Sequence, residues 1–502
     1  MKKILINKNP WQIRIAISDN STLQNIYFSA QAVQSIERVF FKGKVTKVLP
    51  GIQTAFVNIG QEKAGFLHIS EVDRELALGK FSKHISLEED ISKKTAQLRQ
   101  SIDISKIFKE GDEVLVQVSK EPVYEKGAKL TTCFTLPGRF IVLMPNIPRI
   151  GVSKKIEDRQ ERVRLKEIVK KNLPESMGAI IRTTSDGRKE WEIVKDISIL
   201  VSTWETIQNG FKEAKPQERV YEDIELTLQI VRDHLDNDVE AIIVDSKDTQ
   251  RTIYNYVKKI APEHRQKIKL YRGKTPIFEY YTIEEQIEAA LEKKVPLKSG
   301  GSLIIETTEA MSVIDVNTGK FTGKKNMADT MLQTNLEAAE ETVRQLRLRN
   351  IGGLIVIDFI DMAAAANRKK LITFFEKTLK ERDKFQSVVL KVSEFGLVQM
   401  TRKRSGKTLV QQLTETCPTC EGSGFIKSVQ TQSFTILHAI TQELKDKKIS
   451  DSITISLHPD IFKYITTAQY DAVLTLENFC SCRITFVTKK NFGLNQYKIE
   501  KK

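Results

Sequence analysis

At 502 residues the chain is too long for one ordinary domain, and a hydrophobic share of 40% is enough for several packed cores. Seventy-nine Lys and Arg against 64 Asp and Glu leave a formal charge of +15, which excludes an acidic solvating chain and suits a polyanion or an anionic surface, although a basic solvated exterior gives the same sum. No run of ~18 apolar residues marks a transmembrane segment, and five scattered cysteines are no disulfide framework, so a reducing, cytoplasmic setting is expected.

Residues 1–35 alternate apolar and polar positions around "SDNS", which predicts a hairpin of two strands that stops mid-sheet. From 43 to 70, "GKVTKVLPGIQTAFVNIGQEKAGFLHIS" is a succession of short strands broken by Pro50-Gly51, Gly60 and Gly65. A further strand lies at 111–121, and these together suggest a small barrel over 36–132. The polar stretch between them, "SLEEDISKKTAQLRQSIDISK", reads as an insertion in a barrel loop. Phe56 and Phe66, on strands that also carry Lys44, Lys47 and His68, offer faces for base stacking beside cations for phosphates. Both rings could equally fill the barrel core. Lys120 and Lys126 flank the next turn as a basic edge.

This pattern, G-x-V-x-x-V followed by A-F-V-x-I-G and G-F-L-H-I-S, resembles an S1 RNA-binding domain, an OB-type barrel. The resemblance singles out Lys126 among the basic residues.

Between 133 and 226, "FTLPGRFIVLMPN" and "MGAIIRTTSDG" predict strands around a charged helix. Arg182 and Thr183, at the end of a buried strand, could hold a phosphate monoester; a strand-end salt bridge is the plainer use of Arg182. "AIIVDS" near 241–246 predicts a buried strand that rejoins the first hairpin, so that the barrel is an insertion.

Residues 297–362 are the most informative. "GGSLIIETTEAMSVIDVNTGKFTG" predicts two strands, and a period of two puts Asp315 and Asn317 on one face with Ile314 and Val316 on the other. A helix follows, with Leu332, Leu336, Ala339, Val343 and Leu346 as its apolar stripe and Gly352-Gly353 as its stop. "LIVIDFIDM" then reads as a strand apolar on both faces that ends in Asp358 and Asp361. Strand, amphipathic helix and doubly buried strand make an α/β unit, whose ligands gather beyond the carboxyl ends of the strands. Buried acids there need a cation, a donor or a raised pKa. A hard cation such as Mg²⁺ held by Asp315 and Asp358 meets that need, and so would ion pairs with Arg344, Arg347 or Arg349.

"IDVNTGKFTG", "NLEAAEETVRQLRLRNIGGLIVIDFIDM", "FGLVQMTRKR" and "CPTCEGSG" stand in the order seen in the ribonuclease E/G family, and the chain resembles its short, G-type members. The resemblance implies an α/β multidomain fold: an RNase H-like domain from 1–35 and 227–290, interrupted by the S1 barrel (36–132) and a 5′-sensor region (133–226), then a DNase I-like catalytic domain (291–412), a zinc-link (413–426) and a small α/β domain (427–502). It implies Mg²⁺ on Asp315 and Asp358 with Asn317 supporting the site. It also implies hydrolytic cleavage of single-stranded RNA, such as messenger and ribosomal precursors, to 5′-phosphate and 3′-hydroxyl ends. A 5′-monophosphate would be read by Arg182 and Thr183, with Gln386 where the family has a further basic contact. Cys417 and Cys420 form half of a tetrahedral zinc site, and the resemblance implies a second subunit for the other half, hence a dimer or tetramer. Cys480 and Cys482 would alternate on a strand as structural residues. The competing class is a non-catalytic S1-type RNA-binding protein, which has no need of an acid pair at two strand ends.

Overall fold

The computed structural model describes residues 1–30, 35–73, 103–122, 127–319, 327–393, 396–403, 406–447 and 452–501; most of the polar barrel insertion, and Lys126, lie outside them. Two compact units divide the chain, residues 1–409 and 410–502.

In the first unit, the opening segment forms three strands where two were expected: Lys2–Lys8, Gln12–Asp19 and Thr22–Ala30. Pro10 and Trp11 break the first run, and Asn20 and Ser21, with φ of +47° and +65°, turn the second. The meander stops mid-sheet because its next neighbour comes from far along the chain. Val239–Val244 lies parallel to Lys2–Lys8, with Ile4 opposite Ile242 and Ile6 opposite Val244, and Ile268–Leu270 extends the same sheet. The barrel and the sheet that follows it are therefore inserted between these two strands. One face of this sheet (Ile4, Ile6, Ile15, Ile17) packs with residues of helices Leu226–His234 and Lys247–Ile260; the other (Leu5, Ala16, Leu23) packs with Ile277, Phe278, Ile283 and Ile287.

The insertion begins with a closed barrel. Phe40–Leu49 pairs with both Thr54–Asn58 and Glu113–Lys120, and Gly65–His68 and Lys129–Thr131 complete the ring. Arg219–Tyr221 adds an outer strand beyond the expected barrel limits, opposite Phe40 and Phe41. A four-stranded sheet follows, in the order 150–152, 178–181, 141–144, 136–137, with helix Arg159–Asn172. A second helix, Glu190–Glu213, was not anticipated, although Ile193, Ile197, Leu200, Trp204 and Ile207 recur every three or four residues and are all buried. From this helix Asp196 accepts the backbone N–H groups of Arg139, Phe140 and Ile141, and burial nonetheless pushes its carboxyl above the usual range.

The last sheet of the unit runs 294–296, 302–307, 311–317, 353–358, 397–402, 387–389, and only its central pair is parallel. Residues of helices Met327–Leu348 and Ala365–Arg382 share its core, with Ala339, Val343 and Leu346 at 0% exposure as the stripe requires. Two expectations fail here. Asn350, with φ of +52°, stops the first helix, and Ile351 N–H closes it on Leu346 O at 3.0 Å; Gly353 starts the next strand. That strand is buried on one face only, for Leu354 is 40% exposed on the other. In the core behind it, Arg402 donates Nε and Nη2 to Asp383 at 2.6 and 3.0 Å and Nη1 to Ile351 O at 2.6 Å, so this deeply buried ion pair is well satisfied.

In residues 410–502 a three-stranded sheet, 483–488, 452–457 and 497–501 in order, shares a core with Ile436, Ile440, Ile461 and Ile465. Cys480 ends helix Tyr470–Cys480, Ser481 is left-handed, and buried Cys482 precedes the next strand, so the two cysteines do not alternate on a strand. Among the described residues no helix is long and apolar enough to cross a membrane.

Candidate active site

The parallel strands Met311–Asn317 and Gly353–Asp358 are in register from Met311 opposite Leu354 to Asp315 opposite Asp358. Alternation sends Ile314, Val316, Ile355 and Ile357 into the core, and places both aspartates on the face that the helices leave open. The acids are therefore exposed, not buried as the apolar run suggested. Asn317, two residues on, donates Nδ2 to Asp315 Oδ2 at 2.7 Å and fixes that carboxylate's orientation. Partial burial raises the pKa of Asp358, with the negative charges of Asp315 and Asp361 adding to the rise. Among the described residues no ion pair reaches any of the three acids. The arginines that might have neutralised them are engaged elsewhere: Arg344 with Glu341 and Leu23 O, Arg347 with Asn25, Arg349 with Gln345.

Two supports of this site carry no apolar pattern to betray them. Asn335, wholly buried on the long helix, donates Nδ2 to Ile360 O at 2.8 Å and accepts Ile360 N–H at 3.0 Å, which pins the backbone between Asp358 and Asp361. Its position three residues after Leu332, on the apolar stripe, was the available signal. Gly396, with φ of +81°, stands where a Cβ would come within 3.0 Å of Asp361 Oδ1. A cleft of about 500 Å³ opens here, lined by Asp361, Arg368, Ser393 and Gly396 among others.

On the barrel, Phe56 and Phe66 face each other across adjacent strands, with Lys47 opposite Phe56 and Lys129 opposite Phe66. Neither ring belongs to the barrel core, which takes their neighbours Ala55, Val57 and Leu67; both rings are half-exposed on the outside. The structure thus brings aromatic faces and cations together, whereas Lys126 lies outside the described residues.

Arg182 donates Nη1 to Gly138 O at 2.6 Å and to Asp233 Oδ1 at 2.8 Å. Burial would push the Asp233 carboxyl up, but Arg182 and Arg232 hold it below its ordinary range. Thr183 is exposed, its hydroxyl 3.2 Å from that of Ser153. A cation that joins this group is Lys384, just after helix Ala365–Arg382: its ammonium donates to Asp233 O and meets His234 Nε2, each at 3.0 Å, and burial brings its pKa down to about 8. Gln386 is exposed.

In the second unit Cys417 is exposed and Cys420 half-buried. Backbone N–H groups of Cys420 and Thr419 point at the Cys417 sulfur and lower its pKa, which favours the thiolate a zinc ion takes. Among the described residues no three potential ligands come together around the pair.

Comparison with known proteins agrees with this arrangement. Residues 135–405 match the Ribonuclease E/G family, residues 39–132 the S1 RNA binding domain, and residues 416–502 the RNase E/G thioredoxin-like domain. The chain is 36% identical over 499 residues to Ribonuclease G of Escherichia coli strain K12, an alignment covering 99% of each protein. It is equally similar, 36% over 498 residues, to Ribonuclease G of Haemophilus influenzae. To Ribonuclease E of Buchnera aphidicola it is 33% identical over 482 residues, 95% of this chain but 48% of that protein, so it spans about half the length of that relative. With a full-length likeness of this kind and an S1 barrel in place, the chain belongs to the ribonuclease E/G family and is an endoribonuclease.

Proposed function

We propose that the chain is a Mg²⁺-dependent endoribonuclease of the cytoplasm that cuts single-stranded messenger and ribosomal-precursor RNA to 5′-phosphate and 3′-hydroxyl ends. The observation that carries this reading is the in-register pair Asp315 and Asp358, exposed together and, among the described residues, without an ion-paired cation. Such a pair suits one hard divalent ion, with water and phosphate oxygens in the remaining positions. When bound, Mg²⁺ supplies Lewis acidity to the scissile phosphate and acidity to its water. Asp315 and Asp358 hold, Asn317 orients Asp315, and Asn335 keeps the chain beyond Asp358 in place. In fold terms, residues 291–412 read as the DNase I-like unit, and residues 1–35 with 227–290 as the RNase H-like one. Phe56 and Phe66 stack bases while Lys47 and Lys126 meet phosphates. Arg182 keeps its Nε and Nη2 for a 5′-monophosphate, since only Nη1 is spent on Gly138 and Asp233. Cys417 and Cys420 take half of a zinc shared with a second copy, in a dimer or tetramer.

Four outcomes test this. Asp315→Asn and Asp358→Asn should each remove most cleavage, as should withdrawal of Mg²⁺, with RNA affinity kept within a few-fold; near wild-type cutting by either variant sinks the metal assignment. Phe56→Ala and Phe66→Ala should each weaken single-stranded RNA binding by about 1 to 3 kcal/mol, the range for one stacked base, in filter-binding titrations; unchanged affinity in a folded variant would remove the rings from the RNA path.

At the 5′ end, a monophosphorylated RNA should be cleaved faster than its 5′-hydroxyl twin, and Arg182→Gln should abolish the difference. Thr183→Val, which leaves the Asp233 ion pair intact, should narrow it. Equal rates with the wild-type enzyme would reduce Arg182 to a structural arginine. For the zinc, metal analysis should find half an ion per chain, and Cys417→Ser should release it and lower the mass seen by light scattering. A whole ion in each monomer contradicts the shared site.

A further inference from the structure

Three tyrosines meet at the end of the first sheet, with three cations close to them in the chain, in a place the catalytic reading does not use. Its edge strand, Ile268–Leu270, runs into Tyr271, and the chain then crosses the sheet end as "RGKTP" to the short helix Ile277–Tyr280 and Tyr281. Tyr280 is 61% exposed and its ring lies 5.7 Å from Tyr271 and 5.0 Å from Tyr281. Tyr271 and Tyr281 pack on the apolar layer beneath, while Tyr280 takes no part in it. The Tyr271 hydroxyl donates to Thr275 O at 2.7 Å, and its ring folds back over Gly273, where any Cβ would collide with it. The two inner rings are thus fixed, and the outer one stands on them with a face open to solvent.

The chain beside the rings is mainly basic, with Glu279 next to Tyr280 and Glu240 near Tyr281 as the acids close by. Lys269, Arg272 and Lys274 stand in a stretch, residues 268–278, that contains no acid, all three are exposed, and none forms an ion pair among the described residues. Lys3 adds an ammonium 5.6 Å from the Tyr281 ring centre, partly offset by Glu240 at 3.8 Å. An exposed ring held by tilted and edge-on neighbours, with unpaired cations beside it in the chain, can take unpaired bases by its π-face and the backbone by charge, with little regard to sequence. An aromatic patch meant for a protein partner has no need of three unpaired cations at its rim. In an enzyme that acts on RNA, we propose that Tyr280, supported by Tyr271 and Tyr281 and flanked by Arg272 and Lys274, is a second contact for single-stranded RNA, apart from the barrel.

The proposal uses the family's substrate but not the metal assignment, and binding can be read without cleavage. The probe is an unstructured pyrimidine-rich RNA of ~30 nucleotides carrying 4-thiouridine, bound to the full-length protein without added Mg²⁺ and checked for integrity. Tyr280→Ala should weaken binding about fivefold or more, Tyr280→Phe should keep it, and Arg272→Gln with Lys274→Gln should flatten the salt dependence of the affinity. Photocrosslinks should map to residues 271–281 as well as to the barrel. Wild-type affinity and salt slope in both variants, with no crosslink in that segment, overturn the proposal and leave the patch to a protein partner. Melting curves that match the wild type confirm that a loss is not unfolding. Loss of cutting in Asp315→Asn with this binding intact, or the reverse, separates the two readings.

Discussion

The site rests on a sheet that is covered on one side only. Because residues of both helices join Ile314, Val316, Ile355 and Ile357 in one core, the alternation of two parallel strands has no choice but to present Asp315 and Asp358 side by side on the bare face. A slip of one residue in either strand would bury an acid and expose an isoleucine, so the core that stabilises the fold also fixes the distance between the two carboxylates. Partial burial, and after it the charges of Asp315 and Asp361, raise the pKa of Asp358, and a bound cation would offset both.

The rest of the first unit is tied to this sheet by apolar packing of Leu348 and Leu409 with Leu5, Ala16 and Leu23, and by polar contacts. Arg344 reaches Leu23 O and Arg347 reaches Asn25 on the first sheet, Lys384 reaches Asp233 and His234, and Lys155 reaches Asp383 O. These contacts run between parts of the chain far apart in sequence, and several involve charged groups that are substantially buried. Arg347 and Lys155 are both driven below their ordinary pKa by burial. The contact through Lys384 brings the region of Arg182 against the same segment whose Asp383 anchors Arg402 behind the catalytic strands.

Much of this was legible in the sequence where one residue's neighbours follow from a period. The shared face of Asp315 and Asn317, the apolar stripe from Leu332 to Leu346, and the strand at 239–244 that completes the first sheet all followed from such patterns. What failed depended on the third dimension. "LIVIDF" is apolar at every early position, and nothing local tells that Leu354 and Val356 face away from the helices. Asn350 took the left-handed turn although two glycines stood close by. Asn335 stands on the apolar stripe, but its bonds and those of Lys384 to backbone atoms distant in sequence leave no trace of their partners, whereas the helix at 190–213 carries a periodic stripe of its own.

The parallel pairing of Lys2–Lys8 with Val239–Val244 also orders events during synthesis. The first thirty residues can form their meander locally, but Ile4, Ile6, Ile15 and Ile17 have no cover until helices Leu226–His234 and Lys247–Ile260 have been made. At 5–20 residues per second the ribosome needs roughly 10 to 40 s to traverse the interval. For that time a greasy three-stranded ribbon waits outside the exit tunnel while the barrel and the following helices, with cores of their own, are free to fold ahead of it. The strand Lys2–Lys8 thus finds its parallel partner only after more than two hundred further residues have been made.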